Sequence, residues 1–84
     1  MEQSLNYLRE ILSAHTENDA VGRRLFKRLS THDFKSEQIF AWQLTQEESN
    51  YLNKVLEEAI EYSRQEQDEE RARQLNEVYE QLFI

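Results

Sequence analysis

The chain has 84 residues, a formal net charge of −7 and neither cysteine nor proline. A chain this short supports one helical domain, 1–84, which buries only about 60% of the surface that it exposes when unfolded. The absence of cysteine excludes disulfides, thiolate metal sites and a cysteine nucleophile. Its longest apolar run, Ile39–Trp42, is far shorter than the roughly 20 residues of a transmembrane helix, and its first ten residues lack a secretory signal pattern. We therefore expect a soluble, cytoplasmic protein.

The charge is unevenly distributed. Residues 1–42 contain six basic and six acidic side chains, whereas residues 43–84 contain four basic and eleven acidic ones. Because an acidic surface repels phosphate backbones, we expect no nucleic-acid partner. The simplest interpretation of the acidic half is a solvated helix surface.

The first half predicts two short helices in chain order. The first runs from about Ser4, a candidate N-cap, to Ala14, and the second from Ala20 to about Leu29. Asn18 or Asp19 can cap the second helix. Their apolar stripes have helical spacing. The stripe residues are Leu5, Leu8, Ile11 and Leu12 in the first helix, and Val21, Leu25, Phe26 and Leu29 in the second.

The second of these helices contains the only glycine of the chain, Gly22. A glycine inside a helix costs about 1 kcal/mol relative to alanine, so it weakens the helix prediction there. The alternative is one helix from Ser4 to Leu29 with a soft centre.

Two capping patterns mark the helices that follow. Ser36 caps a short helix from Glu37 to Gln43, which presents Ile39, Phe40 and Trp42. Thr45 and Glu48 then form the T-x-x-E capping box, in which each side chain binds the backbone N–H of the other residue.

The last part of the chain carries two apolar stripes, at 52–60 and 72–82, that point about 140° apart on a continuous helix. A straight helix could not bury both stripes against one partner. The acidic run Asp68–Glu70 is suited to a new helix N-terminus. We therefore predict a hairpin of Gln46–Gln65 and Glu69–Phe83; the alternative is one helix that contacts different partners along its length. The fold prediction is an all-α bundle of three to five helices that ends in this hairpin.

No pattern indicates catalysis or metal binding. His15, Glu17 and Asp19 could supply metal ligands, but three such residues in a polar loop are more often capping residues. His32-Asp33 near Ser30 lacks any turn that would build an oxyanion hole. The paired glutamates lie in polar stretches, and one glycine cannot form a phosphate-binding loop. We expect no enzyme, no metal, no cofactor and no small-molecule substrate.

Two groups of residues are candidates for protein binding: a cationic strip on the second helix and an aromatic cluster. We define the cationic strip as Arg23, Arg24, Lys27 and Arg28, and the aromatic cluster as Phe34, Phe40 and Trp42. The strip can face the acidic half of its own chain, a second copy or an acidic partner. The aromatic cluster belongs either to the core or to an interface, where aromatic side chains carry much of the binding energy. The predicted partner is a protein, with a homodimer as its simplest form.

Several stretches resemble a small sporulation-specific protein family of Bacillus and its relatives, the CsgA-like proteins. The stretches are Leu5–Glu10, His15–Asn18, Tyr51–Glu57, Ile60–Tyr62, Glu66–Asp68, Arg71–Ala72 and Leu75–Glu80. Members of this family are made in the forespore under sigma factor G and are sometimes labelled acid-soluble spore proteins. The resemblance implies expression in the forespore or spore core, but it brings no catalytic or ligand-binding residues.

The spore-protein label suggests two further roles. DNA coating, as in the major α/β-type spore proteins, is disfavoured by the acidic charge and by the absence of the glycine-containing motifs of those proteins. A storage protein without a specific partner is the alternative, although storage requires no amphipathic stripes. We therefore predict a sporulation-specific protein-interaction module.

Overall fold

The computed structural model describes the backbone of residues 3–83 and the side chains of residues 5–83. It contains five α-helices and, within this range, no strand. They are α1 (Gln3–Ser13), α2 (Ala20–Thr31), α3 (Glu37–Trp42), α4 (Gln46–Gln65) and α5 (Glu69–Phe83). The predicted all-α fold is confirmed, including its C-terminal hairpin. Ser4, the predicted first cap, lies within α1, and its side chain falls outside the described residues.

The core is made by the predicted apolar stripes. Helices α4 and α5 pack along each other, α1 packs against both α2 and α5, and α2 also contacts α4. The buried residues that form one contiguous cluster come from all five helices and from Phe34 between α2 and α3. They are Leu5, Leu8, Ile11, Leu12, Leu25, Leu29, Phe34, Phe40, Leu52, Val55, Leu56, Ile60, Leu75 and Val78.

The first half forms two helices, so the alternative of one helix from Ser4 to Leu29 is wrong. Helix α1 ends at Ser13, and a polar turn leads to Asp19, whose carboxylate accepts hydrogen bonds from the Val21 and Gly22 amides. These bonds satisfy N–H groups that have no partner within the helix.

The hairpin between α4 and α5 is closed by backbone hydrogen bonds, so the alternative of one continuous helix is also wrong. The Asp68 amide donates to the Ser63 carbonyl at 2.8 Å, and the Gln67 amide donates to the Arg64 carbonyl at 3.0 Å. This is the Schellman pattern, which usually places glycine at the left-handed position. Here that position is Gln67, with φ of 61°. Asp68 then starts α5, because its carboxylate accepts a hydrogen bond from the Arg71 amide.

Gly22 is required for space rather than for an unusual backbone angle, because its φ is not positive. A Cβ atom at Gly22 would lie 2.5 Å from the His15 carbonyl oxygen and 2.5 Å from the Tyr51 hydroxyl oxygen. Helix α2 therefore approaches both the α1–α2 turn and α4 more closely than any side chain would allow.

We expect Gly22→Ala to lower the free energy of unfolding by about 1–3 kcal/mol, as other overpacked sites do. Helix propensity alone would give the opposite result, a gain of about 1 kcal/mol. Urea denaturation distinguishes the two. As a control, Tyr51→Phe removes one of the two close oxygen atoms, so the double variant should recover part of the loss. A Gly22→Ala protein more stable than wild type would refute the steric explanation.

Candidate functional site

The short helix α3 holds the aromatic cluster and divides it between two environments. Ser36 caps α3 by accepting a hydrogen bond from the Ile39 amide at 3.2 Å. Phe40 points into the core, fully buried, and its ring packs edge-on against Phe34 at a centroid distance of 5.2 Å. Trp42, two residues further on, is 77% exposed. Phe34 and Phe40 are therefore core residues, and Trp42 is the member of the aromatic cluster that a partner could reach.

Trp42 borders an open cleft of about 660 Å³ between α3 and the end of α5. We call it the Trp42 cleft. Its lining residues are Gln38, Ala41, Trp42, Glu80, Gln81, Leu82 and Phe83. Leu82 and Phe83 are half-buried, and the Phe83 ring packs against Tyr79 at 5.2 Å. Ile39, one turn before Trp42 on α3, is also partly exposed. The site thus combines an exposed indole and the apolar side chains of Ala41, Leu82 and Phe83 with three polar residues, Gln38, Glu80 and Gln81.

The cationic strip is split between an internal ion-pair network and solvent. Arg24 and Arg28 bind Glu48, and Arg24 also reaches Glu47 at 3.1 Å. Arg23 instead donates to the carbonyl oxygens of residues 16 and 17 in the α1–α2 turn. Lys27 is exposed. Two members of the cationic strip, Arg24 and Arg28, therefore face the acidic half of their own chain, which is one of the alternatives that the sequence left open.

Glu48 is the buried centre of this network, with 1% of its surface exposed. Its carboxylate accepts two hydrogen bonds from Arg28, at 2.8 and 3.1 Å, one from Arg24 at 2.9 Å and one from the Thr45 amide at 3.0 Å. The predicted capping box is complete, since the Glu48 amide also donates to Thr45 Oγ1. Burial alone would raise the pKa of Glu48, but the hydrogen bonds from Arg28, Thr45 and Arg24 lower it to about 2.

The residues considered for metal binding hold the α1–α2 turn together. Asp19 caps α2; burial opposes ionisation there, but hydrogen bonds from Gly22 and other donors lower the pKa of this carboxyl. The His15 ring stands edge-on to Tyr51. The Tyr51 hydroxyl is buried beside Asp19, outside strict hydrogen-bond geometry, and burial together with this carboxylate raises the pKa of Tyr51 to about 12. In the part of the chain that the structure describes, no three histidine or acidic side chains are grouped so that they could hold a metal ion.

The other candidates for chemistry lie at the surface. His32 Nδ1 lies 3.1 Å from the Thr31 hydroxyl oxygen and 3.2 Å from the Arg28 carbonyl oxygen, at the end of α2. Among the paired glutamates, Glu48 alone is buried; Glu47 and the pairs at 57–58 and 69–70 are exposed. Exposed carboxylates of this kind lack the burial that separates the pKa values of an acid–base pair.

Comparison with known proteins gives the chain its family. Residues 1–83 match the protein family described as CsgA, minor curli fiber component A. The chain belongs to this family. It is also 45% identical over 83 residues to a Bacillus subtilis (strain 168) protein described as a sigma-G-dependent sporulation-specific SASP protein, with 99% of this chain and 100% of the relative covered. The family resemblance inferred from the sequence is confirmed.

The relative's description names a spore protein and states no catalytic activity. No solved structure matches the chain. Within residues 3–83, no helix combines the length and apolar content that crossing a membrane would require. The protein-binding role of the aromatic cluster and the cationic strip stays a prediction.

Proposed function

We propose that this member of a sporulation protein family is a protein-interaction module that binds its partner through the Trp42 cleft. The observation that carries the proposal is the 77% exposure of the Trp42 side chain. Tryptophan is among the residues that most often dominate binding energy when an interface covers them. By analogy with its relative, we expect the protein to act in the forespore or spore core.

The packing of α3 against the core also supports the proposal, because it fixes the position of Trp42. Helix α3 is short, but Ser36 fixes its start and the buried Phe40 fixes its orientation against α5. The indole is therefore presented from a fixed backbone, and binding need not order a mobile segment. A storage protein would require neither this exposure nor this support.

The cationic strip gives no comparable surface for nucleic acid. Glu48 and Glu47 neutralise two of its four members, and the strip lies on a chain with a net charge of −7. Nucleic-acid affinity depends on several free cations that contact phosphates together. A protein partner is therefore the better proposal.

Site-specific photo-crosslinking tests the proposal. A photoreactive residue at Gln81 lies in the Trp42 cleft, whereas one at Gln65 lies at the far end of α4. In lysate of sporulating Bacillus, we expect the Gln81 probe to capture a protein that the Gln65 probe does not. The captured protein, once purified, should bind Trp42→Ala at least about tenfold more weakly than wild type.

A matched control is Tyr62→Ala, which removes another exposed aromatic ring, 65% exposed, from α4. It should leave the affinity of the purified partner unchanged. Equal affinity for wild type and Trp42→Ala would refute the proposed role of the cleft, and so would equal losses in Trp42→Ala and Tyr62→Ala.

A further inference from the structure

The Trp42 cleft has one charged side chain, and it is acidic. Of the residues that line the cleft, Gln38 and Gln81 are polar but neutral, and Glu80 carries the charge. Glu80 is exposed and accepts a hydrogen bond from the Asn76 amide group at 3.1 Å. An aromatic face and a carboxylate therefore share one concave surface.

The acidic character extends beyond the cleft, because residues 43–84 contain eleven acidic side chains and four basic ones, and two of the four basic side chains are already paired. Arg73 on α5 binds Glu70 and Glu77, and Arg71 contacts Glu10 of α1 at 3.7 Å. Among the described residues, Glu57, Glu58 and Glu80 take part in no ion pair; all three are exposed. The chain as a whole is negative, and Glu80 is the charge at the cleft itself.

We propose, as an extension of the proposed function and resting on it, that the cleft binds a basic segment of a partner protein. The segment carries a lysine or arginine beside an apolar side chain. The apolar side chain packs against Leu82 and Phe83, and the cation contacts both the Trp42 ring face and the Glu80 carboxylate. Cations are attracted to the electron-rich face of an indole ring, and a nearby carboxylate adds an ion pair.

Charge complementarity also decides between this occupant and a second copy of the chain. Each copy carries a net charge of −7, so two copies repel each other on approach. Four of the ten basic residues that a copy could offer, Arg24, Arg28, Arg71 and Arg73, are already bound within the chain. A basic partner, in contrast, is steered towards the cleft by the field of the hairpin.

Trp42 is the only tryptophan of the chain, so its fluorescence reports the cleft directly. The experiment uses three synthetic peptides of equal length and identical leucine positions, whose polar positions are lysine, glutamine or glutamate. We expect the lysine peptide to shift Trp42 emission to shorter wavelength, with an affinity that falls as salt is added. The glutamate peptide should not bind.

Two variants test whether the Glu80 carboxylate is the charge that binds the lysine peptide. Glu80→Gln should weaken binding of the lysine peptide about two- to fivefold, the range of an exposed ion pair. Glu57→Gln removes one exposed carboxylate from α4, away from the cleft, and should leave the affinity within error. Equal losses in the two variants would show a diffuse attraction to the acidic surface and would overturn the proposal.

The other outcomes separate this inference from the proposed function. Equal affinity for the lysine and glutamine peptides would overturn the role of charge and leave an apolar interaction module. If no peptide bound while the crosslinked partner required Trp42, the basic segment would be refuted and the module retained. A shift of Trp42 emission with protein concentration alone would identify a second copy as the occupant, which also overturns the proposal.

Discussion

Glu48→Gln is expected to lower the free energy of unfolding by about 3 kcal/mol at neutral pH. Removing one member of a buried ion pair typically costs about 3–5 kcal/mol, because the remaining charge loses its partner. The lower end applies here, since the Arg24 and Arg28 side chains are 47% and 22% exposed and can gain water. The glutamine Oε1 can still accept the hydrogen bond from the Thr45 amide, but its NH2 group cannot accept the hydrogen bonds that Arg24 and Arg28 donate to the second carboxylate oxygen. Urea denaturation of wild type and variant measures the difference.

The same network predicts a dependence of stability on pH. The pKa of Glu48 is lowered from 4.5 to about 2, so its contribution is complete above pH 4.5 and is lost as the pH falls towards 2. A shift of this size corresponds to about 3 kcal/mol. Other carboxylates contribute to acid unfolding as well, including Asp19, whose pKa is also lowered. The relevant quantity is therefore the difference in stability between wild type and Glu48→Gln, which should shrink between pH 4.5 and pH 2.

Glu47→Gln is the matched control. Glu47 precedes Glu48 in α4 and also pairs with Arg24, but its side chain is 70% exposed. We expect it to cost at most about 0.5 kcal/mol, as exposed ion pairs do. Similar losses for the two variants, or a wild-type–variant difference that stays constant down to pH 2, would contradict the assignment of Glu48 as the centre of the network.

The parts of the fold that the sequence predicts are those with local causes. The Thr45–Glu48 capping box and the Ser36 cap depend on residues three apart, so the pattern determines the start of each helix. The hairpin follows from two stripes that cannot lie on one face, and the predicted bounds of α4 and α5 agree with the observed ones. Here secondary structure and core could be predicted before any tertiary contact was known.

The end of α4 shows a feature that local sequence patterns do not predict. Its left-handed position is Gln67, although glycine is the residue that usually marks it. The polar run and the acidic residues that follow predicted a break, but not the geometry that closes it. At Gly22 the sequence indicates only a weak helix. The structure shows that glycine is needed there because the Tyr51 hydroxyl and the His15 carbonyl leave no space for a side chain. Contacts between distant segments determine both outcomes.

The candidate site depends on tertiary structure in the same way. Phe40 and Trp42 are two residues apart and are both aromatic. Phe40 is nevertheless fully buried, whereas Trp42 is 77% exposed. Residues two apart on an α-helix point roughly 160° away from each other, and only the packing of α3 on α5 determines which direction is the core. Likewise, the cleft contains Glu80 and Leu82, which are far from Trp42 in sequence. No pattern of residue spacing in the sequence could have predicted this cleft.

Phe40→Ala is therefore expected to have the largest effect on stability, a loss of about 3–5 kcal/mol. Phe40 is fully buried and packs against Phe34, so truncation removes apolar contacts and leaves a cavity. A protein of this size is stabilised by only about 4–12 kcal/mol in total, so the variant would lose a large share. Circular dichroism during urea denaturation measures it.

Trp42→Ala provides the opposite control within the same helix. Because most of its side chain already faces solvent, we expect its loss to change stability by at most about 0.5 kcal/mol, while binding by the cleft is lost. Should Phe40→Ala fail to fold, Phe40→Leu retains most of the volume and should show a smaller loss, of about 1–2 kcal/mol, that is still above that of Trp42→Ala. Equal losses of stability at the two positions would mean that α3 does not divide its aromatic residues between core and surface. In that case a binding defect in Trp42→Ala would reflect unfolding instead of a lost contact, and the proposed interaction site would lose its main support.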